Sequence, residues 1–157
     1  MKVVAVVQAR MGSARLPGKS LQPLAGIPLV QHVIARTRAV RGPVDTVLVT
    51  SMAERDKALL DLAITLGLSC IRGSEHDVLE RFETVLALYH PDAVMRITGD
   101  CPLLCTDVCE QVLSAYNTRE PGVEYVSNDT LVSGWPDGTD CEVFSADAVR
   151  QAVRYAT

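Results

Sequence analysis

The feature that most restricts this chain lies at its start, where a run from Val3 to Ala9, apolar but for Gln8, is followed at once by a stretch that cannot be a long helix. A strand with one wet face alternates apolar and polar residues; a continuous apolar run suits a strand buried on both faces of a parallel sheet. Residues 10–28 then hold Gly12, Pro17, Gly18, Pro23, Gly26 and Pro28, too many breakers for a long helix. The opening is expected to be a first strand rather than a secretory leader. The apolar stretch is short, and Gln8 and Arg10 stand where a cleavage site would be.

The remainder alternates strand and helix. Leu29 to Val40 reads as a helix with Leu29, Val33, Ile34 and Thr37 on one side, and Val44 to Ser51 as a second strand. Ala53 to Leu66 reads as a helix with Leu59, Leu60, Leu62, Ala63 and Leu66 inward, stopped by Gly67. Leu68 to Ile71 is a short third strand, and Asp77 to Tyr89 a helix carrying Val78, Leu79, Phe82, Val85, Leu86 and Tyr89 at helical spacing. Ala93 to Ile97 is a fourth strand, ended by Thr98-Gly99-Asp100. Thr106 or Asp107 caps a helix running to about Asn117, strand-like pieces follow near 123–127 and 140–144, and Ser145 caps a final helix.

This is an α/β pattern, a mainly parallel sheet with helices on both faces. With 157 residues, 48% of them hydrophobic, the chain suits a single domain over 1–157 and has material for a real core, which excludes disorder. No apolar run approaches the roughly 20 residues that a spanning helix needs, so no membrane partner is expected. Five cysteines, an odd number without framework spacing, favour a reducing cytoplasm.

Charge position says more than the net charge of −4. All residues up to Arg41 are free of Asp and Glu, while Lys2, Arg10, Arg15, Lys19, Arg36, Arg38 and Arg41 are basic; the segment after them is strongly acidic. An acid-free opening within an acidic chain points to a local anion site. Nucleic acid is not the expected partner, because aromatic residues make up only 4% and no basic stripe continues along the chain. In open sheets, ligands bind outside the carboxyl ends of the strands where strand order reverses. That singles out the loop after the first strand and Gly99-Asp100 after the fourth.

The loop reads Gln8-Ala9-Arg10-Met11-Gly12-Ser13-Ala14-Arg15-Leu16-Pro17-Gly18-Lys19-Ser20. Gly18-Lys19-Ser20 matches the end of a phosphate loop, but five residues rather than four separate Gly12 from Gly18, and Pro23 and Pro28 forbid the long helix that should follow. What remains is still suited to an anion. Glycines let backbone N–H groups approach closely, arginines give planar two-point contacts to phosphate, and Lys19 gives a compact charge.

This segment, continued by Leu21-x-Pro23-Leu24-Ala25-Gly26-Ile27-Pro28-Leu29-Val30, resembles the opening of the cytidylyltransferase family that makes CMP-activated sugar acids. That family includes CMP-KDO synthetases, acylneuraminate cytidylyltransferases and a spore coat polysaccharide branch. The last is nearest, because Arg72-Gly73-Ser74-Glu75-x-Asp77-Val78-Leu79-x-Arg81 and Arg96-Ile97-Thr98-Gly99-Asp100-Cys101-Pro102-Leu103 resemble it too. The likeness runs from Val3 to about Phe144 and implies a Rossmann-like nucleotidyltransferase fold. The implied activity is transfer of CMP from CTP to a sugar acid with release of pyrophosphate, in surface or spore coat polysaccharide synthesis.

By that resemblance, Arg10 and Lys19 bind phosphates, with Lys19 near the reacting α-phosphate and Ser13 and Arg15 in support. Ala9, Gly12, Thr98 and Arg72 join the nucleotide site, Arg72 in a glycine-bearing loop after its strand. Arg81 either faces the nucleotide too or is a solvated helix residue. Asp100 holds Mg²⁺; the competing reading is a turn aspartate making local hydrogen bonds. Asn128, Asp129, Trp135 and Asp137 would face the acceptor sugar. Family members continue further and supply a second metal-binding aspartate, so the chain is expected to be a fragment, truncated at its C-terminus, of an enzyme that pairs as a homodimer. Asp140 and Glu142 are candidates for the second carboxylate, on one face of a strand, or alternatively belong to the sugar pocket. Thr98 stands where the CMP-KDO branch has a glutamine that reads cytosine, which leaves another nucleotide open. So do two further alternatives, an inactive nucleotide-binding module and a phosphotransferase using Gly18-Lys19-Ser20. Cys101, Cys105 and Cys109 are expected to be small buried thiols, not metal ligands, since no fourth ligand lies nearby, and His32, His76 and His90 offer no nucleophilic triad.

Overall fold

The computed structural model describes residues 1–13, 15–128 and 134–156. The opening run forms β1 (Val3–Gln8), and its alternate side chains feed two separate cores. Val3, Ala5 and Val7 enter one, with Val33, Leu48, Leu59, Met95, Leu104 and Tyr116. Val4 and Val6 enter the other, with Val49, Phe82, Val85, Leu86 and Val149. Burying such a side chain is worth about 1.5–3 kcal/mol, so a strand apolar at every position is stable only where both faces are covered.

After β1 come a single 3-10 turn (Lys19–Leu21) and a small hairpin of β2 (Pro23–Leu24) and β3 (Ile27–Pro28). The hairpin turns through Ala25 (φ 49°) and Gly26 (φ 89°), the left-handed pair that two-residue loops require. The other elements are α1 (Leu29–Ala39), β4 (Asp45–Ser51), α2 (Lys57–Thr65), β5 (Ser69–Gly73), α3 (Val78–Tyr89), β6 (Ala93–Thr98), α4 (Thr106–Asn117), β7 (Tyr125–Ser127), β8 (Cys141–Ser145) and α5 (Ala146–Tyr155). The six-stranded sheet has the order β5-β4-β1-β6-β8-β7. Strands β5, β4, β1 and β6 are parallel, whereas β8 pairs antiparallel with β6 and β7 with β8. This is the mainly parallel, Rossmann-like arrangement expected. Strand order reverses beside β1, which has β4 on one flank and β6 on the other, so the ends of β1 and β6 flank the crevice.

Several local expectations are corrected. Cys105, not Thr106 or Asp107, is the N-cap of α4 and makes no side-chain cap bond, while Asp107 lies in the first turn. The helix expected over Ala53–Leu66 begins as a 3-10 turn (Glu54–Asp56) before α2. Val30 joins the buried face of α1, against whose core Leu29 also packs, partly buried. Ser145 caps α5 as read, its hydroxyl accepting from Ala148 N–H at 2.8 Å. Cys101 and Cys109 are buried and Cys105 half-buried; all five cysteines are free thiols, and no metal-holding group of three His, Cys, Asp or Glu occurs among the described residues. No helix among them is long and apolar enough to cross a membrane.

Candidate active site

The ends of β1 and β6 are drawn together by a glycine. Gly99 N–H donates to Gln8 O at 2.8 Å. A Cβ on Gly99 would lie 2.7 Å from that of Ala9 and 2.9 Å from Gln8 O, so no larger residue fits without displacing a strand end. Asp100 is therefore held directly beside the loop that leaves β1.

That loop is fixed by its own backbone and by one buried acid. Gly18, at φ 76°, closes it by donating its N–H to Met11 O at 2.9 Å. The Ser20 hydroxyl, 2% exposed as a residue, donates to Arg10 O at 3.2 Å. Met11 N–H donates to Asp56 Oδ1 at 2.7 Å, and the other oxygen of Asp56 accepts from Ser51 N–H at 3.2 Å and from the Ser51 hydroxyl. Asp56 thus ties the loop to the end of β4. Nothing in the spacing of the sequence marks it, because an aspartate at a helix start ordinarily reads as a cap.

With the loop so held, Lys19 Nζ contacts Asp100 Oδ2 across the crevice, an ion pair with both side chains partly exposed. Burial pushes the Asp100 carboxyl up, but the Lys19 hydrogen bond and charge, with the Thr98 hydroxyl, outweigh it and hold the group below the usual carboxylate range. A cleft of about 390 Å³ opens here, within the size range of small-molecule sites. Of the residues expected at the nucleotide, it brings together Ala9, Arg10, Ser13, Arg15, Lys19, Thr98 and Asp100. It takes in Arg81, for which the nucleotide side was one of two expectations, and adds Gln8, Ser20, Val78, Arg96 and Gly99. Thr98 Oγ1 also lies 3.0 Å from Cys101 Sγ.

Other expected residues lie elsewhere. Gly12 makes room for the Arg55 guanidinium, which its Cβ would meet at 3.0 Å, and Arg55 is paired with Glu75. Arg72 sits within β5 rather than in a loop after it, and its guanidinium donates to Ser51 O at 2.9 Å and Ala53 O at 3.0 Å. Asp140 stands immediately before β8, and its carboxyl feels the charge of Glu142. Its carboxyl is raised, first by burial and then by Asp137, Glu142 and Asp100. Glu142 accepts from Arg96 Nη1 at 2.5 Å, while Arg96 Nε donates to Gln8 Oε1 at 3.1 Å. Asn128 is buried, donating to Thr139 O at 3.0 Å and accepting from Cys141 N–H at 2.7 Å. None of Arg72, Asn128, Asp140 and Glu142 forms the wall of this cleft, nor do Trp135 and Asp137. Asp129 lies outside the described residues. Arg81 differs from the solvated alternative, being 1% exposed and set in the cleft wall.

Asp100 is the one carboxylate among the described residues of the wall, set among cations. Magnesium typically takes one or two carboxylates together with phosphate oxygens, so this donor set fits a divalent ion that arrives with a polyphosphate rather than one caged by protein alone.

Comparison with known proteins bears on the same residues. The family model described as cytidylyltransferase matches residues 4–157. The spore coat polysaccharide biosynthesis protein SpsF of Bacillus subtilis is 33% identical over 82% of this chain and 55% of its own length. The 8-amino-3,8-dideoxy-manno-octulosonate cytidylyltransferase of Shewanella piezotolerans is 34% identical over 78% of this chain and 50% of its own length. A solved cytidylyltransferase from Leptospira borgpetersenii superposes with a TM-score of 0.91 at 27% identity, covering 99% of this chain and 65% of that one. The chain spans about half the length of these curated relatives. With its family model matched almost end to end and its loop, glycine and aspartate meeting at one sheet edge, the chain belongs to the cytidylyltransferase family.

Proposed function

We propose that this chain carries the nucleotide-binding and catalytic centre of a Mg²⁺-dependent enzyme that transfers CMP from CTP to a sugar acid and releases pyrophosphate. The product would serve surface or spore coat polysaccharide synthesis. The observation that carries this reading is the contact of Lys19 with Asp100 across the β1–β6 crevice, inside a cleft lined by Arg10 and Arg15. The names of the relatives support the class of acceptor, and five free thiols suit a reducing cytoplasm.

The chemistry follows from where charge develops. An acceptor oxygen attacks the α-phosphorus, the bond to the pyrophosphate oxygen breaks, and negative charge grows on the phosphate oxygens. The loop's internal bonds anchor the backbone around Arg10 and Lys19, and with Arg15 these cations already line the cleft, where they would stabilise that charge. Asp100 and the phosphates would hold the divalent ion, which supplies further charge neutralisation when bound. Lys19 and Asp100 neutralise each other in the free chain and are each available when a nucleotide and its cation enter.

The test is to incubate the chain with Mg²⁺, CTP and an octulosonic or nonulosonic acid and to measure pyrophosphate, with a thermal-shift panel of CTP, UTP, GTP and ATP beside it. Pyrophosphate release that requires both substrates, with CTP giving the largest shift, is the expected result. A shift with CTP but no pyrophosphate from any acceptor would reduce the chain to a binding module. A larger shift with another nucleotide would overturn CTP.

A further inference from the structure

We propose that Arg96 is a positioning residue that sets which pyrimidine the cleft accepts: it locks the Gln8 side-chain amide so that only its NH2 faces the cleft, where it donates to N3 of cytosine and offers nothing to the N3–H of uracil. This rests on the nucleotide reading above and deepens it to the choice of base.

The cleft is not uniformly charged. Arg10, Arg15 and Lys19 come from the loop after β1, whereas Gln8, Ala9, Thr98 and Gly99, at the ends of β1 and β6, are neutral. Gln8 and Thr98 are direct neighbours in the parallel register. Side chains alternate along a strand, so Gln8 follows Val4 and Val6, and Arg96 and Thr98 follow Val94, onto one face of the sheet. Val78 of α3 packs against that same core and also lines the cleft. A cationic loop suits phosphates, and a neutral floor with an apolar side chain beside it suits a base.

On that floor one amide is held by a charged fork. Arg96 Nε donates to Gln8 Oε1 at 3.1 Å, and Arg96 Nη1 donates to Glu142 Oε2 at 2.5 Å. A guanidinium is planar and carries no acceptor, so the Gln8 oxygen must face it; a flipped amide would set NH2 against N–H. Gln8 Nε2 donates to nothing among the described residues. Glu142 already answers the charge of Arg96, which makes this arginine a poor anion site and leaves orientation as its task. A rotatable amide would serve either pyrimidine, presenting NH2 to an N3 lone pair or oxygen to an N3–H. A locked one presents NH2 alone. With uracil, two donors then face each other in a partly buried site, and an unmade bond there costs more than a made one gains.

The test is calorimetric titration of CTP and UTP into the wild-type chain, Arg96→Met, Arg96→Lys, Gln8→Met, Gln8→Glu and the double variant Gln8→Met/Arg96→Met, with the ratio of the two affinities as the readout. Wild type should prefer CTP by about tenfold or more. Arg96→Met frees the amide to rotate and should level the ratio, chiefly by tightening UTP. Arg96→Lys keeps a donor and should retain part of the preference. Gln8→Met should also level the ratio, and adding Arg96→Met to it should change the ratio no further, because the arginine acts through the amide. Gln8→Glu keeps an acceptor for Arg96 but turns a second acceptor toward the cleft, so it should reverse the preference. A ratio unchanged in folded Arg96→Met or Gln8→Met overturns the proposal, and equal weakening of both nucleotides makes Arg96 only a strut between β6 and β8. If Arg96→Met does not fold, Gln8→Met and Gln8→Glu carry the comparison. Wild type that binds the two nucleotides equally sinks the proposal and leaves nucleotide binding standing; binding of neither sinks both.

Discussion

Lys19 and Arg81 border the same cleft and are built in opposite ways. Lys19 stands on the loop after β1, partly exposed, with its charge answered by Asp100. Arg81 stands on α3, buried, with two of its nitrogens unanswered among the described residues. The difference teaches how each wall is stabilised without ligand. The loop edge neutralises itself, so its charges exchange partners when an anion arrives. The α3 wall keeps a buried cation in place by packing, with only partial relief from the charges of Asp56, Asp77 and Glu80.

The largest expected effect tests the paired edge. Lys19→Ala and Asp100→Ala should each lower CMP transfer by about two to three orders of magnitude, the usual cost of losing a preplaced electrostatic group, measured as pyrophosphate release. A drop under tenfold in both would remove the pair from the chemistry. Next, Gly99→Ala forces a Cβ against Ala9 and Gln8 O and should destabilise the chain by about 1–3 kcal/mol in urea unfolding. It should also pull the loop edge apart while leaving Gly73 and Arg81 untouched, so CMP transfer should fall with the α3 wall intact.

A smaller effect concerns pH. The Asp100 carboxyl is held below its ordinary value in the folded chain, so the pair's contribution is complete above the usual carboxylate range. It is lost as pH falls through the depressed folded value. Wild type and Asp100→Asn should therefore differ at neutral pH and converge in acid, and a gap that persists in acid would mean that Lys19 is not the cause. Smallest of all, Ser20→Ala removes one hydrogen bond to Arg10 O and should cost about 1 kcal/mol with only a modest loss of rate. A severe loss, with γ-phosphate transfer in the wild type, would favour a phosphotransferase.

Most of the parallel core was legible because β1 is apolar from Val3 to Val7 and the helices carry regular spacing. The antiparallel direction of β7 and β8 was not, since a short strand's own residues do not record the direction of its neighbour. The loop cations and Asp100 were legible for a chemical reason: their residue types and places after strands match what a phosphate and a divalent ion require. Arg72 and Arg81 were not separable in sequence, as both are arginines of one motif. Which of them is spent on the carbonyls of Ser51 and Ala53, and which reaches the cleft, depends on strand and helix geometry. Asp56 was invisible because its partners, Met11 and Ser51, come from two other segments.

The sequence by itself determined the two-faced first strand, the acid-free loop behind it, and the glycine-aspartate step that ends the fourth parallel strand, because these follow from local composition and from periodicity along the chain. Only the tertiary structure decided that Lys19 meets Asp100, that Asp56 anchors the loop, and that two nitrogens of Arg81 are buried with no hydrogen-bond partner among the described residues. Each of those depends on distances between segments remote along the chain, and such distances are set by how the sheet is ordered and packed.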